Sequence, residues 1–475
     1  MKKRYMQFYK RSIQNYKIEV SKIAIFFTVI FTLVFALSFH RWDDDGIIVA
    51  DAINYYVYLP AGVIYQDLDF EFGKEMPEDI VRKKLSNFPS PINRPVIKMT
   101  MGVAFFMLPF FTVGHIIASL SDTYANNGYS APYYFMIFVS ALFYLWVGLY
   151  YLRKLLLLFF EEASVAIVII LIVLATNLLF YVAMEPGVSH VYNFTLISMF
   201  LYFSFKWLSN PTYKIAILLG LLLGFITLIR PSNSIIVLFP LLILLFDKNS
   251  LQSKVLIIKE NLPKILLALV FMIVVLIPQM IYWKLFTGQW LFYTYGTESF
   301  YFNNPHIFEG LLSYRKGWLI YTPIMFFSIV GLFFLLKKHA RLVLPIIIFS
   351  SLNLYIIFSW WCWWYGGSYG ARPMIDTYAI YAIPLAAFVQ FFINKKIWKQ
   401  LAIGSIFIFF IYFNTFQIRQ YNIALLHYAN MTKEAYWGIL FKMHYPDNYV
   451  DLIQTPDYES AAAGKDEQLD RDKQK

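Results

Sequence analysis

Charge is what this sequence has least of. Only 15% of its 475 residues are Asp, Glu, Lys or Arg, where a soluble chain carries about a quarter. That deficit stands beside 59% hydrophobic residues, 20% aromatics and a mean hydropathy of +0.56. Together they exclude a cytosolic enzyme and a disordered chain. Cysteine is nearly absent as well. The single Cys362 permits no internal disulfide, which excludes a disulfide-stapled secreted domain. Lying in an aromatic run, it reads as a buried packing thiol. No Walker-type phosphate loop, HExxH, CxxC or GxSxG with triad partners is found, so ATP-driven transport and zinc proteolysis have no support. The alternating strands of an outer-membrane barrel are also missing.

What the chain has instead is long apolar runs. Crossing a ~30 Å hydrocarbon layer takes about 20 apolar residues at 1.5 Å each. Runs of that order lie near 22–39, 97–119, 131–151, 164–183, 191–207, 214–229, 234–246, 264–283, 319–336, 342–359, 376–393 and 400–416. The first is followed by no small-residue cleavage site and reads as a retained anchor. The net charge of +11 is spread between the runs, so it marks membrane topology, not a nucleic-acid partner.

The basic N-terminus predicts a cytoplasmic start. Short basic loops at Arg153-Lys154, Lys206 to Lys214, Lys248 to Lys264, Lys337 to Arg341 and Lys395 to Lys399 share that side. The loops holding Glu185 to His190, Arg230 to Asn233, Lys284 to Trp318 and Trp360 to Arg372 alternate with them and face outward. Sidedness is consistent if 97–119 does not cross. The expected fold is therefore an all-α integral membrane protein with about 11 transmembrane helices, a juxtamembrane or re-entrant helix and a large first outer loop. The expected layout is a cytoplasmic segment 1–21 and a membrane module 22–250 that includes the outer loop 40–130. A second membrane module 251–416 and an outer polar tail 417–475 follow. The location expected is a bacterial inner membrane, with the chemistry on its periplasmic face.

Charges within the runs are scarce and collect at their ends, unlike the midplane ionisable groups of secondary transporters. His40-Arg41-Trp42-Asp43-Asp44-Asp45-Gly46 opens the first outer loop. Its aspartates can ligate a hard divalent cation, one of them can act as a base in competition with Asp51, or they simply form a solvated acidic cap. Asp51 lies among apolar residues and tyrosines, Tyr55 included, where its protonation and position matter. Lys98, with Arg94 nearby, suits a phosphate group or snorkels at an interface. Glu185-Pro186-Gly187-Val188-Ser189-His190 puts a carboxylate and an imidazole into one outer loop, or is a polar turn. Arg230 stands between apolar runs and calls for an anion or carboxylate. Arg372 closes a Gly- and aromatic-rich loop suited to a sugar phosphate, although such aromatics also form interface belts.

These residues resemble those of the GT-C class of membrane glycosyltransferases, which includes protein O-mannosyltransferases, aminoarabinose transferases and oligosaccharyltransferases. The likeness rests on Asp51 followed by Tyr55 in the first outer loop and on Lys98 followed by Gly102 at the start of the next helix. Glu185 in the second outer loop and Arg230 in the third add to it, and Gly370 to Pro373 adds a looser match. The resemblance implies a GT-C-like fold over roughly 20–250. It also implies transfer of a sugar from a polyprenyl-phosphate-linked donor to an acceptor glycan, lipid or protein. Asp51 and Glu185 would be catalytic; Asp44, Tyr55, Lys98, His190, Arg230 and Arg372 would bind substrate. Inversion at the anomeric carbon is expected, with no cofactor and no metal-ligand residues assigned, a divalent cation being left open as the alternative. The large soluble C-terminal domain of oligosaccharyltransferases has no counterpart, so en bloc transfer to asparagine is not expected. A lipid or polysaccharide transporter, and a glycan polymerase or ligase outside the GT-C class, are the competing readings.

Overall fold

The computed structural model describes residues 19–43, 46–85, 87–247 and 250–465. The chain divides into two compact units, Met1–Ile169 with Leu179–Thr294, and Ile170–Leu178 with Tyr295–Lys475.

The first unit opens with α1 (Val20–Leu37), followed by the short helices α2 (Asp51–Tyr56) and α3 (Glu78–Lys84). Strands β1 (Phe88–Pro89) and β2 (Pro95–Val96) pair antiparallel, Phe88 opposite Val96. Then come α4 (Gly102–Ser119), α5 (Ala131–Leu156) and α6 (Glu162–Leu174), which passes into the second unit at its end. The first unit resumes at Leu179, within α7 (Leu178–Ala183), and continues with α8 (His190–Ser209) and α9 (Tyr213–Ile229). A 3-10 turn Pro231–Val237 leads into α10 (Leu238–Leu245), α11 (Leu251–Glu260) and α12 (Leu262–Thr287). Small residues let α9 and α12 approach closely. A methyl group added at Gly220 would stand 2.1 Å from the Ala268 carbonyl oxygen. At the start of α1 the buried Arg153 guanidinium donates to Ser21 Oγ (2.5 Å) and to the Glu162 carboxylate (2.8 Å), tying α1, α5 and α6 together.

The second unit contains α13 (Ile307–Leu312), α14 (Trp318–Tyr321), α15 (Met325–Phe358), α16 (Tyr378–Ile393), α17 (Ile397–Asn422) and three short helices. These last are α18 (Lys433–Ile439), α19 (Tyr449–Leu452) and α20 (Tyr458–Ala462). Between α6 and α7 the helix breaks. The Asn414 side-chain amide donates to the Leu174 and Thr176 carbonyls at 2.9 and 2.8 Å. Asn177 accepts from the Tyr378 hydroxyl at 2.5 Å. The two Asn414 bonds satisfy backbone carbonyls that the break leaves without helical partners, as a low-dielectric setting demands, and the Tyr378 bond holds the Asn177 side chain.

All twelve apolar runs recur as helices. Among the described residues seven helical stretches are long and apolar enough to cross a membrane: Val20–Leu37, Gly102–Ser119, Ala131–Leu156, Gln252–Thr287, Met325–Phe358, Arg372–Ile393 and Ile397–Asn422. Three shorter apolar helices, Glu162–Leu174, Tyr213–Ile229 and Pro231–Leu245, accompany them. The sequence count of 11 differs for physical reasons. The run 164–183 is interrupted at the Asn414 bonds, 234–246 starts as a 3-10 turn, and 319–336 and 342–359 share one element kinked at His339. The helix at 102–119, read from sequence as juxtamembrane or re-entrant, has 18 residues. At 1.5 Å each it is about 27 Å long, which is enough to span. Along α12, Leu266, Leu269, Val270, Ile273 and Ile277 are all exposed. Apolar surface of this kind belongs against lipid, and the chain is an integral membrane protein.

Candidate functional site

The site is built from four segments of the first unit. The first is the turn leading into α2. Ile47 and Ile48 are buried, and the ammonium of Lys84, itself only 3% exposed, donates to the Ile48 carbonyl at 2.8 Å. Ala50 then adopts φ 48° and ψ −124°, a left-handed conformation costly for a residue with a Cβ. That turn places half-buried Asp51 as the first residue of α2. Tyr55 and Tyr56 are buried behind it, and the Tyr58 hydroxyl donates to the Met99 carbonyl at 2.8 Å. Burial keeps the Tyr58 phenol well above its ordinary pKa, so it acts as a neutral donor.

The second segment is the turn from Glu185 to His190. Its Gly187 lies directly on α2. A Cβ there would meet the Ala52 methyl at 2.8 Å and the Ile47 carbonyl oxygen at 3.1 Å. Glu185 is half-buried and His190 is 2% exposed, its ring 5.1 Å from that of Tyr181. Tyr192 donates to the Pro186 carbonyl (3.4 Å) and fixes the turn from behind.

The third and fourth segments are the approach to α4 and the end of α9. Lys98 is half-buried, and its carbonyl accepts from the Thr294 hydroxyl at 2.5 Å. The Ile97 amide donates to Tyr282 (3.1 Å) and the Met101 amide to Gln279 (2.9 Å), which docks this stretch on α12. Thr100 donates to the Leu228 carbonyl, and Gly102 abuts Ile229, where a Cβ would stand 2.8 Å from the backbone nitrogen. Arg230 follows immediately. Half-buried and extended, it ends α9, its amide donating to the Ile226 carbonyl at 3.0 Å.

The backbones bearing Asp51, Tyr55, Glu185, His190, Lys98 and Arg230 thus meet at one end of the first unit. Asp44 lies outside the described residues. Its neighbour Asp43 is exposed, in a turn closed by Arg41 donating to the Gly46 carbonyl (2.9 Å). Arg372 is described within the second unit, where it opens a 3-10 turn after Gly370, whose φ is +61°. Arg94, read from sequence as a phosphate partner beside Lys98, instead holds Asp69 through two bonds of 2.8 and 2.5 Å. It also caps the Leu285 carbonyl at 3.0 Å. Sequence reasoning missed Lys84, because nothing in a polar loop containing Lys83-Lys84 distinguishes a buried ammonium from a solvated one. Among the described residues no group of three or more His, Cys, Asp or Glu side chains is placed to hold a metal ion.

No protein-family model and no curated protein matches the chain. Solved structures similar to it include the Archaeoglobus fulgidus oligosaccharyltransferase in its apo form, at 11% identity and a TM-score of 0.48. That match covers 91% of this chain and 60% of the other. ArnT from Cupriavidus metallidurans in the apo state is similar at 15% identity and a TM-score of 0.40, over 79% of this chain and 62% of that one. The chain therefore spans about three fifths of the length of each of these two structures. At this level of likeness, function rests on the chain's own residues.

Proposed function

We propose that the chain is a membrane glycosyltransferase of GT-C type that moves a sugar from a polyprenyl-phosphate-linked donor to an acceptor hydroxyl. One observation carries the reading: two carboxylate-bearing turns and two cation-bearing segments meet at one end of the first unit. A transporter would instead place such groups along a path through the helices.

In the proposed step the acceptor oxygen attacks the anomeric carbon while Asp51 takes or orients its proton. The bond from that carbon to the phosphate oxygen breaks, and the electron pair leaves with the lipid phosphate. Lys98 and Arg230 stabilise the charge that develops there. Glu185 and His190 position the acceptor, and Tyr55 and Asp44 complete the substrate contacts. A single displacement inverts the anomeric centre and calls on no metal.

The test compares polyprenyl-phosphate sugars and surface glycans by mass spectrometry in the host, a deletion strain, and the deletion complemented with Asp51→Asn. Accumulation of a lipid-linked sugar, loss of a surface sugar, and failure of the variant at equal protein level are expected. Unchanged glycans, or full rescue, would sink the reading and bring transport forward. Inversion is read from the product's anomeric configuration, and metal independence from activity retained after chelation.

A further inference from the structure

The far end of the first unit holds a second feature that the transfer reaction does not use. A cavity of about 300 Å³ opens between α8, α9, α10, α11 and α12. Helix directions place it away from the candidate site. Ser204 is 14 residues along α8 from His190, roughly 21 Å at 1.5 Å per residue. The walls are apolar, with Leu219, Leu223 and Leu241 among them. Two polar groups interrupt them. Ser204 is 4% exposed, and neither its hydroxyl nor the buried indole N–H of Trp207 has a hydrogen-bond partner among the described residues. Both can donate, and a buried donor without an acceptor is costly. The cavity therefore calls for an occupant that is mostly apolar and carries acceptor oxygens.

The rim supplies the charge. Lys264 lines the cavity; its ammonium donates to the Asn261 side-chain oxygen at 2.8 Å and lies over the Tyr213 ring. Lys254 and Lys259 lie on α11, which roofs the cavity with Ile257 and Ile258. Among the described residues none of these three lysines is ion-paired, although Glu260 is adjacent in sequence. α11 also exposes Val255, Leu256 and Ile258, the mixture expected of a helix lying in a membrane interface.

From these observations we infer that the cavity is a binding site for one acidic membrane phospholipid. An acyl chain fills the leucine-lined space. Its ester oxygens accept from Ser204 and Trp207, and the phosphate headgroup lies against Lys264 beneath α11. The site is independent of the transfer reading, since none of its residues belongs to the four segments around Asp51.

Native mass spectrometry of the full chain tests this, with palmitoyl-oleoyl phosphatidylglycerol or phosphatidylcholine added to delipidated protein. One phosphatidylglycerol is expected to remain bound in preference to phosphatidylcholine. Lys264→Gln should weaken its retention by about fivefold, the worth of one cation near a lipid surface. Ser204→Phe, which fills the cavity, should abolish it. Equal retention of the two lipids, or retention unchanged in Lys264→Gln, overturns the site. Should Ser204→Phe fail to fold, acyl-dibrominated phosphatidylglycerol gives a second reading. It should quench fluorescence in the wild type by more than in Trp207→Phe, and equal quenching refutes the placement.

Discussion

Replacing Gly187 with alanine is the sharpest probe of the candidate site. The added methyl would stand 2.8 Å from the Ala52 methyl and 3.1 Å from the Ile47 carbonyl oxygen. Carbon atoms settle at about 3.5–4.0 Å, so the turn bearing Glu185 must retreat from α2 by about 1 Å. Neither neighbour can swing aside, because one is a Cβ and the other is backbone. Overpacking of this kind costs about 1–3 kcal/mol of stability. A misplacement of about 1 Å between reacting groups costs about a hundredfold in rate. The assay is the turnover of lipid-linked sugar by vesicle-reconstituted protein, with a thermal melt beside it. The expected outcome is a loss near a hundredfold in turnover with a modest drop in melting temperature. Ala52→Gly in the same chain removes the closest atom and should restore most of the turnover, at about 1 kcal/mol for glycine in a helix. Wild-type turnover in Gly187→Ala, or a double variant no better than the single, would refute the idea that this contact sets the distance between the two carboxylate-bearing segments.

Three further outcomes follow from described contacts. Lys84→Met removes the donor to the Ile48 carbonyl and should destabilise the first unit by about 1–3 kcal/mol, seen as faster proteolysis of the 40–95 loop. Cys362 is buried, and its thiol is pushed up to about 12, chiefly by desolvation; it should resist maleimide at pH 8 until the protein is unfolded. Burial, and then the nearby Lys316 charge, hold His427 below its ordinary 6.5. The unfolded chain therefore binds the proton first as pH falls. Stability should decline below about pH 6.5, and His427→Gln should flatten that decline in melts taken from pH 7.5 to 5.

Much of the fold was legible because apolar length is a direct physical signal. Each run of about 13 to 23 apolar positions lies in helical structure, and the basic stretch at Lys337 to Arg341 holds the kink at His339. What stayed hidden depends on partners distant in sequence. Nothing near Thr176 and Asn177 announces a helix break, since neither glycine nor proline is present; the break is held by Asn414 and Tyr378, over 200 residues away. Gly187 reads locally as a turn residue, and only the packing of Ala52 reveals it as a clearance. Arg94 and Lys98 look alike in sequence, yet Asp69, 25 residues back, engages the first.

The interrupted helix also says something about how the chain is made. Leu174 and Asn414 are 240 residues apart. At roughly 5–20 residues per second of synthesis, the Leu174 carbonyl waits about 12–48 s before its permanent donor exists. The segment Ile170–Leu178 is laid down with the first unit but completed only by the second. It must be held by water or by the insertion machinery in the interval. A fragment starting at Tyr295 would lack its own structural piece, so the protein cannot be divided there into two self-sufficient halves. Co-expressing the halves split at 294 would succeed only by returning 170–178 from one polypeptide to the other.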